Sequence, residues 1–191
     1  MRVISGSAKG RPLKAVPGMG TRPTTDKVKE ALFSMIGPYF EGGEALDLFA
    51  GTGGLGIEAL SRGMDRAVFV DADKRSIETI RSNVLAASVE DQVEIYRSDA
   101  SKALRVLARG GRQFDIVFLD PPYRMKEVPA ILEYMEFHSL IRRDGLAVVE
   151  HEAAHRYEDR IGSFLLRRHA EYGETAISIY IFSSERDGIL K

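Results

Sequence analysis

Four residues, Asp120-Pro121-Pro122-Tyr123, bring together a carboxylate, two rings that stiffen the backbone and an aromatic face. A carboxylate and a backbone carbonyl near Pro121 can accept both N–H bonds of an exocyclic amine. Such an amine delocalises its lone pair into its ring and is a poor nucleophile. Holding both N–H groups localises the lone pair and aims it at an electrophile. Pro121 and Pro122 restrict the turn, and Tyr123 offers a surface on which a base can stack. Asp120, Pro121 and Tyr123 are therefore the candidate catalytic residues, although a proline-rich turn closing a strand would use the same residue types.

A second set of residues can hold a nucleotide-like ligand. In Asp47-Leu48-Phe49-Ala50-Gly51-Thr52-Gly53-Gly54-Leu55-Gly56, glycines let the backbone turn sharply beside a ligand, and the helix that follows contributes free N–H groups. Gly51, Gly53 and Gly56 also satisfy the dinucleotide fingerprint, so the loop by itself serves NAD or S-adenosylmethionine alike. Asp71, at the end of the next predicted strand, can accept from ribose hydroxyls. Asp99, after the third, can accept from an adenine amino group. Each acid could also be an ordinary helix cap, Asp99 especially. Their joint placement at neighbouring strand ends points to one crevice and makes Asp47, Gly51, Thr52, Gly53, Asp71 and Asp99 the candidate cofactor residues.

These residues need elements to position them. Short apolar runs at 45–50, 67–71, 93–97, 114–120 and 146–150 read as strands. Helical spacing occupies 55–61, 75–87, 101–107 and 128–137 between them. Continuous apolar runs such as Ile116-Val117-Phe118-Leu119 fit strands buried on both faces, and repeated βα units predict a parallel sheet. Residues 164–172, Gly173 and residues 174–182 read as a terminal antiparallel hairpin. The expected fold is α/β and Rossmann-like, a mostly parallel seven-stranded sheet ending in that hairpin. Ahead of it, two short strands around 2–5 and 12–16 and a helix capped by Thr24 or Thr25 suggest an extension over residues 1–39, with the catalytic domain over 40–191.

Charge separates the two parts. The chain has 27 basic and 28 acidic residues and a net charge of −1. Its first 25 residues carry Arg2, Lys9, Arg11, Lys14 and Arg22 and no acid, so a basic arm precedes an acidic body. Basic arms often meet phosphates, and Lys9, Arg11, Lys14 and Arg22 are the candidate RNA contacts. The absence of cysteine, of a signal-like N-terminus and of any long apolar run fits a cytoplasmic protein with no membrane partner. His151-Glu152-Ala153-Ala154-His155 matches a zinc-protease pattern. That chemistry needs both histidines on one helix face and a third ligand. Here the motif follows a predicted strand and has only His169 nearby, so a strand-end loop and no metal are expected.

The Asp120–Tyr123 motif resembles the (Asp/Asn/Ser)-Pro-Pro-(Tyr/Phe/Trp) signature of methyltransferases acting on planar amino nitrogens. Gly6-Ser7-Ala8-Lys9-Gly10-Arg11, the stretch from Arg22-Pro23-Thr24 to Ala31-Leu32-Phe33, and the loop from Asp47 to Ala59 are similar to the RsmD family. The resemblance covers nearly the whole chain. It implies the class I methyltransferase fold, S-adenosyl-L-methionine as cofactor, and N2-methylation of a 16S rRNA guanine, by family position guanine 966. The expected substrate is the 30S subunit or an assembly intermediate. Two positions depart from the pattern: Asp71 stands where many class I enzymes have Glu, and Ser7 and Ala8 are smaller than expected. Three rivals remain. An adenine-N6 DNA methyltransferase shares the motif but usually carries a larger target-recognition domain. An NAD-dependent oxidoreductase has no use for the Asp-Pro-Pro-Tyr turn. A catalytically silent RNA-binding assembly factor could retain the fold.

Overall fold

The computed structural model describes residues 1–18, 25–121 and 127–183. They form two compact units, residues 1–103 and 104–191.

The first unit opens with an arm. Arg2 and Pro12 form an isolated antiparallel bridge, closed by Val3 N–H to Arg11 O at 3.0 Å and Gly10 N–H to Val3 O at 2.8 Å. Val3, Ala8, Leu13 and Val16 are buried. The small residue Ala8 lies against the end of the second helix, where its N–H donates to Ser61 Oγ. Helix α1 (Asp26–Ile36) follows, with Thr25 as its N-cap accepting from Val28 N–H. Three parallel strands alternate with helices: β1 (Glu44–Asp47), α2 (Gly54–Ser61), β2 (Arg66–Asp71), α3 (Lys74–Ala87) and β3 (Val93–Arg97). β2 is the central strand of the three, paired with β1 from Glu44↔Arg66 to Asp47↔Phe69 and with β3 from Ala67↔Val93 to Asp71↔Arg97. Val68, Phe69 and Val70 are accordingly fully buried, each such side chain stabilising the unit by about 1.5–3 kcal/mol. Helix α2 is buried on nearly every side. It reaches that depth because Gly56 packs against the Phe69 ring, where any Cβ would collide with the ring edge.

Helix α4 (Ala100–Arg109) begins at Asp99. In the second unit, β4 (Phe114–Leu119) runs parallel to β5 (Ile141–Glu152), with α5 (Glu127–Phe137) between them in sequence. β5 pairs antiparallel with β8 (Thr175–Phe182), and β8 with β7 (Phe164–Tyr172), which gives the expected terminal hairpin. A two-residue strand, β6 (Arg160–Ile161), adds an eighth strand at the edge of β7. β5 starts five residues before the apolar run, because Ile141 already pairs with Phe114. The polar Arg142-Arg143-Asp144 segment hides this beginning. Phe114, Phe118, Phe164 and Tyr180 fill the unit's core.

Candidate functional site

β1 ends at Asp47, and the chain enters the glycine loop. Gly53, at φ +76°, caps α2 from the left-handed region, which glycine enters without strain. The loop's amides are turned inward. Gly51 N–H donates to Asp71 Oδ2 at 2.8 Å, Gly53 N–H to Ala50 O at 2.7 Å, Gly54 N–H to Thr52 Oγ1 at 3.3 Å and Gly56 N–H to Asp47 Oδ2 at 3.1 Å. A pyrophosphate would need such N–H groups for itself. Here two of the four are taken by carboxylates. Two carboxylates, Asp47 and Asp71, thus fix the path of the loop from below and beside it. A Cβ at Gly51 would meet nothing within 4 Å, whereas one at Gly53 would meet Ile80 and Phe69 and one at Gly54 would meet Met1, so the loop is open only at Gly51.

Asp47 is 4% exposed. Burial pushes its carboxyl up to about 7, the Gly56 N–H opposes that rise, and the nearby Asp71 charge adds to it. Asp71, half-buried at the end of β2, uses both oxygens: Oδ2 for Gly51 and Oδ1 for Asp73 N–H at 2.8 Å. Each oxygen keeps a lone pair for a ribose hydroxyl. Asp73 caps α3 and is gripped by Arg75, whose hydrogen bonds hold its carboxyl down at about 2. Asp99 is exposed and caps α4, its Oδ1 accepting from Ser101 N–H at 3.0 Å and Lys102 N–H at 3.3 Å. It also lines an open hollow of about 370 Å³ with Ala72, Arg97, Ser98 and Lys102. Cap and ligand acceptor are thus compatible roles for Asp99. All six candidate cofactor residues fall in the first unit.

Asp120 directly follows β4 and is exposed; Pro121 is half-buried. Pro122 and Tyr123 lie outside the described residues, as does Arg22 in the arm. Lys9, Arg11 and Lys14 are exposed, and none forms an ion pair with another described residue. Arg2, by contrast, pairs with Asp26 at 3.1 Å.

Sequence reasoning missed what ties the arm down. Glu58 on α2 is fully buried. Its carboxylate accepts from Ile4 N–H at 2.8 Å, Ser5 N–H at 3.0 Å and Arg62 Nε at 2.7 Å, and pairs with Lys29 Nζ at 3.3 Å. Asn83 on α3 is 1% exposed and joins the arm to the glycine loop. Its Oδ1 accepts from Lys14 N–H at 2.7 Å, while Nδ2 donates to Lys14 O at 3.0 Å and Thr52 O at 2.8 Å. The available signals were a Glu inside an apolar helix and an Asn on the stripe formed by Ile77, Ile80, Val84 and Ala87.

The zinc-like motif takes no helical form. His151 and Glu152 belong to β5, and His155 lies beyond its end. His151 and His169 both meet the buried Ser178 hydroxyl, at 2.9 and 3.0 Å. Desolvation lowers the His151 pKa. Among the described residues, no group of three or more His, Asp or Glu could hold a metal ion. None of the described helices is long and apolar enough to cross a membrane.

The fold is the class I α/β fold of solved methyltransferases. The structure of yhhF from Escherichia coli superposes with TM-score 0.81 at 31% identity, covering 97% of this chain and 99% of that one. An "RNA methyltransferase from Salinibacter ruber in complex with S-Adenosyl-L-homocysteine" shares the fold at TM-score 0.65 and 19% identity, over 89% and 99%. The chain belongs to the RsmD family, described as "Conserved hypothetical protein 95", whose pattern matches residues 1–181. It is 48% identical to "Putative rRNA methyltransferase YlbH" of Bacillus subtilis, over 94% of this chain and 98% of that one. It is 31% identical to "Ribosomal RNA small subunit methyltransferase D" of Escherichia coli, over 94% and 89%.

Proposed function

We propose that this chain is an S-adenosylmethionine-dependent rRNA methyltransferase that modifies the N2 amine of a 16S rRNA guanine, the family position being guanine 966. The observation that supports the reading is the glycine loop after β1 with Asp71 at the end of β2 and Asp99 before α4, in a chain of the RsmD family. When bound, S-adenosylmethionine supplies an electrophilic methyl group on a sulfonium. Asp71 accepts from the ribose hydroxyls, Asp99 accepts from the adenine amine, and Gly51, Thr52 and Gly53 supply the loop beside them. Asp120 and the carbonyl of Pro121 accept the two N–H bonds of the guanine amine, and Tyr123 stacks on the base. Held by those two acceptors, the guanine nitrogen would present its lone pair toward the cofactor's methyl group. The nitrogen's extra proton leaves afterwards to solvent, so no dedicated base is needed. Lys9, Arg11, Lys14 and Arg22 hold RNA phosphates, on the 30S subunit or one of its assembly intermediates.

Tritiated methyl transfer to 30S particles and to protein-free 16S rRNA, followed by nucleoside analysis, tests the proposal. N2-methylguanosine is the expected product. N6-methyladenosine, or no transfer despite cofactor binding, would overturn it.

A further inference from the structure

The arm and the cofactor loop meet through one side chain. Asn83 makes three hydrogen bonds from a site 1% exposed, two to the backbone of Lys14 and one to Thr52 O. An amide on the buried stripe of a helix is costly unless every bond is made, and an aliphatic residue would serve helix packing better. What Asn83 supplies is a link. On one side it fixes Lys14, whose own side chain is exposed. On the other it fixes the carbonyl of the loop residue Thr52. A second contact runs in parallel: the Met1 thioether lies 3.9 Å from Thr52 Oγ1 and 3.3 Å from where a Gly54 Cβ would stand. Glu58 anchors residues 4 and 5 of the same arm to α2, the helix that this loop begins.

We propose that Asn83 is a positioning residue that couples RNA capture by the arm to cofactor binding at the glycine loop. The inference rests on the function proposed above. An arm held by bound phosphates loses freedom at Lys14. Asn83 passes that restriction to Thr52, and the loop then orders at less cost when the cofactor arrives. Linkage requires the converse as well: bound cofactor tightens RNA binding by the same factor.

Calorimetry with S-adenosylhomocysteine, in the absence and presence of saturating 30S particles, measures the coupling. In the wild type, the particles should raise S-adenosylhomocysteine affinity about fivefold or more. Asn83→Asp keeps the acceptor for Lys14 N–H and loses both donated bonds, and it leaves the arm's cations in place. It should still bind RNA while the coupling factor falls to one. A purely structural role would lower thermal stability and leave the factor unchanged, which overturns the inference. Hydrogen exchange of wild-type peptides spanning residues 50–57 gives a check that needs no variant. The particles alone should slow their exchange, and unaltered exchange refutes the coupling. Wild-type protein that binds S-adenosylhomocysteine and RNA independently refutes the coupling and leaves the methyltransferase reading standing. Failure to bind S-adenosylhomocysteine at all removes both.

Discussion

Asp71→Ala tests the cofactor site most directly, because its two consequences can be measured apart. The carboxylate takes Gly51 N–H and Asp73 N–H, each at 2.8 Å. A hydrogen bond to a charged group contributes about 1.5–3 kcal/mol when dry. Asp71 is only half-buried, so water can reoccupy the freed amides. The two bonds together should then cost about 1–3 kcal/mol of stability, or roughly 2–12 °C in Tm for a chain of this size. Loss of the ribose acceptor is a separate effect of about 1.5–3 kcal/mol on binding, roughly ten- to a hundredfold in Kd for S-adenosylhomocysteine. Asp71→Asn sharpens the argument. Its amide presents one oxygen and one NH2, so one of the two backbone donors must face another donor. It should therefore lie close to Asp71→Ala in affinity rather than midway to the wild type. Thermal unfolding and calorimetry on the same preparations decide the matter. An Asp71→Ala protein with wild-type Tm and wild-type affinity would refute both the clamp and the ribose assignment.

Asp120→Ala and Tyr123→Ala should each abolish methyl transfer in single-turnover assays while calorimetric S-adenosylhomocysteine binding stays near wild type; near-normal turnover in Asp120→Ala removes its assignment. Asp47 has a folded pKa of about 7, above its ordinary 3.8. Its contribution is therefore most favourable below about pH 4 and is lost as pH rises through 7. Asp47→Asn, which keeps an acceptor for Gly56 N–H, should gain stability over wild type in urea unfolding as pH goes from 5 to 8, and a constant difference refutes the shift. Neutralising Lys9, Arg11 and Lys14 together should flatten the slope of log affinity for 30S particles against log salt by roughly two to three. Cofactor affinity measured without RNA should hold in that variant, since the arm's backbone bonds to Asn83 remain.

Much of the fold was legible because it is written locally. Helix starts followed from Thr24 or Thr25, of which Thr25 is the cap, and from Asp99, which caps α4. Strands followed from runs such as Ile116–Leu119, and the closing hairpin from Gly173. What stayed hidden depends on partners distant in sequence. β6 has two residues and exists only because Phe164 and Leu165 face it. The start of β5 is polar and is recruited by Phe114. The glycine loop announced a nucleotide-like ligand, yet its fingerprint could not separate NAD from S-adenosylmethionine. The loop's inner bonds, from Gly51 to Asp71 and from Gly56 to Asp47, were equally hidden, because a backbone N–H direction leaves no trace in residue type. The His-Glu-x-x-His pattern was legible as non-helical from the strand it follows.

Glu58 shows why the arm is more than a basic tail. Burying a carboxylate costs several kcal/mol, and even a good ion pair often fails to repay it relative to an apolar residue of similar size. Lys29 bears the mark of that cost: desolvation holds its pKa below the ordinary value, although Glu58 at 3.3 Å pulls the other way. An aliphatic side chain at position 58 would suit the apolar surroundings of α2 at least as well. It could not accept from Ile4 and Ser5, and the arm would have no fixed path across the helix. The buried charge thus stabilises one particular docking of the arm rather than the unit as a whole. With Asn83 fixing Lys14 and Glu58 fixing residues 4 and 5, the exposed cations Lys9 and Arg11 project from a turn held at both ends. A site that must present phosphates to cations and a cofactor to a glycine loop gains from having both on one frame. On that proposal, Glu58 and Asn83 are the polar residues that hold the frame, on two helix faces where packing alone would have chosen none.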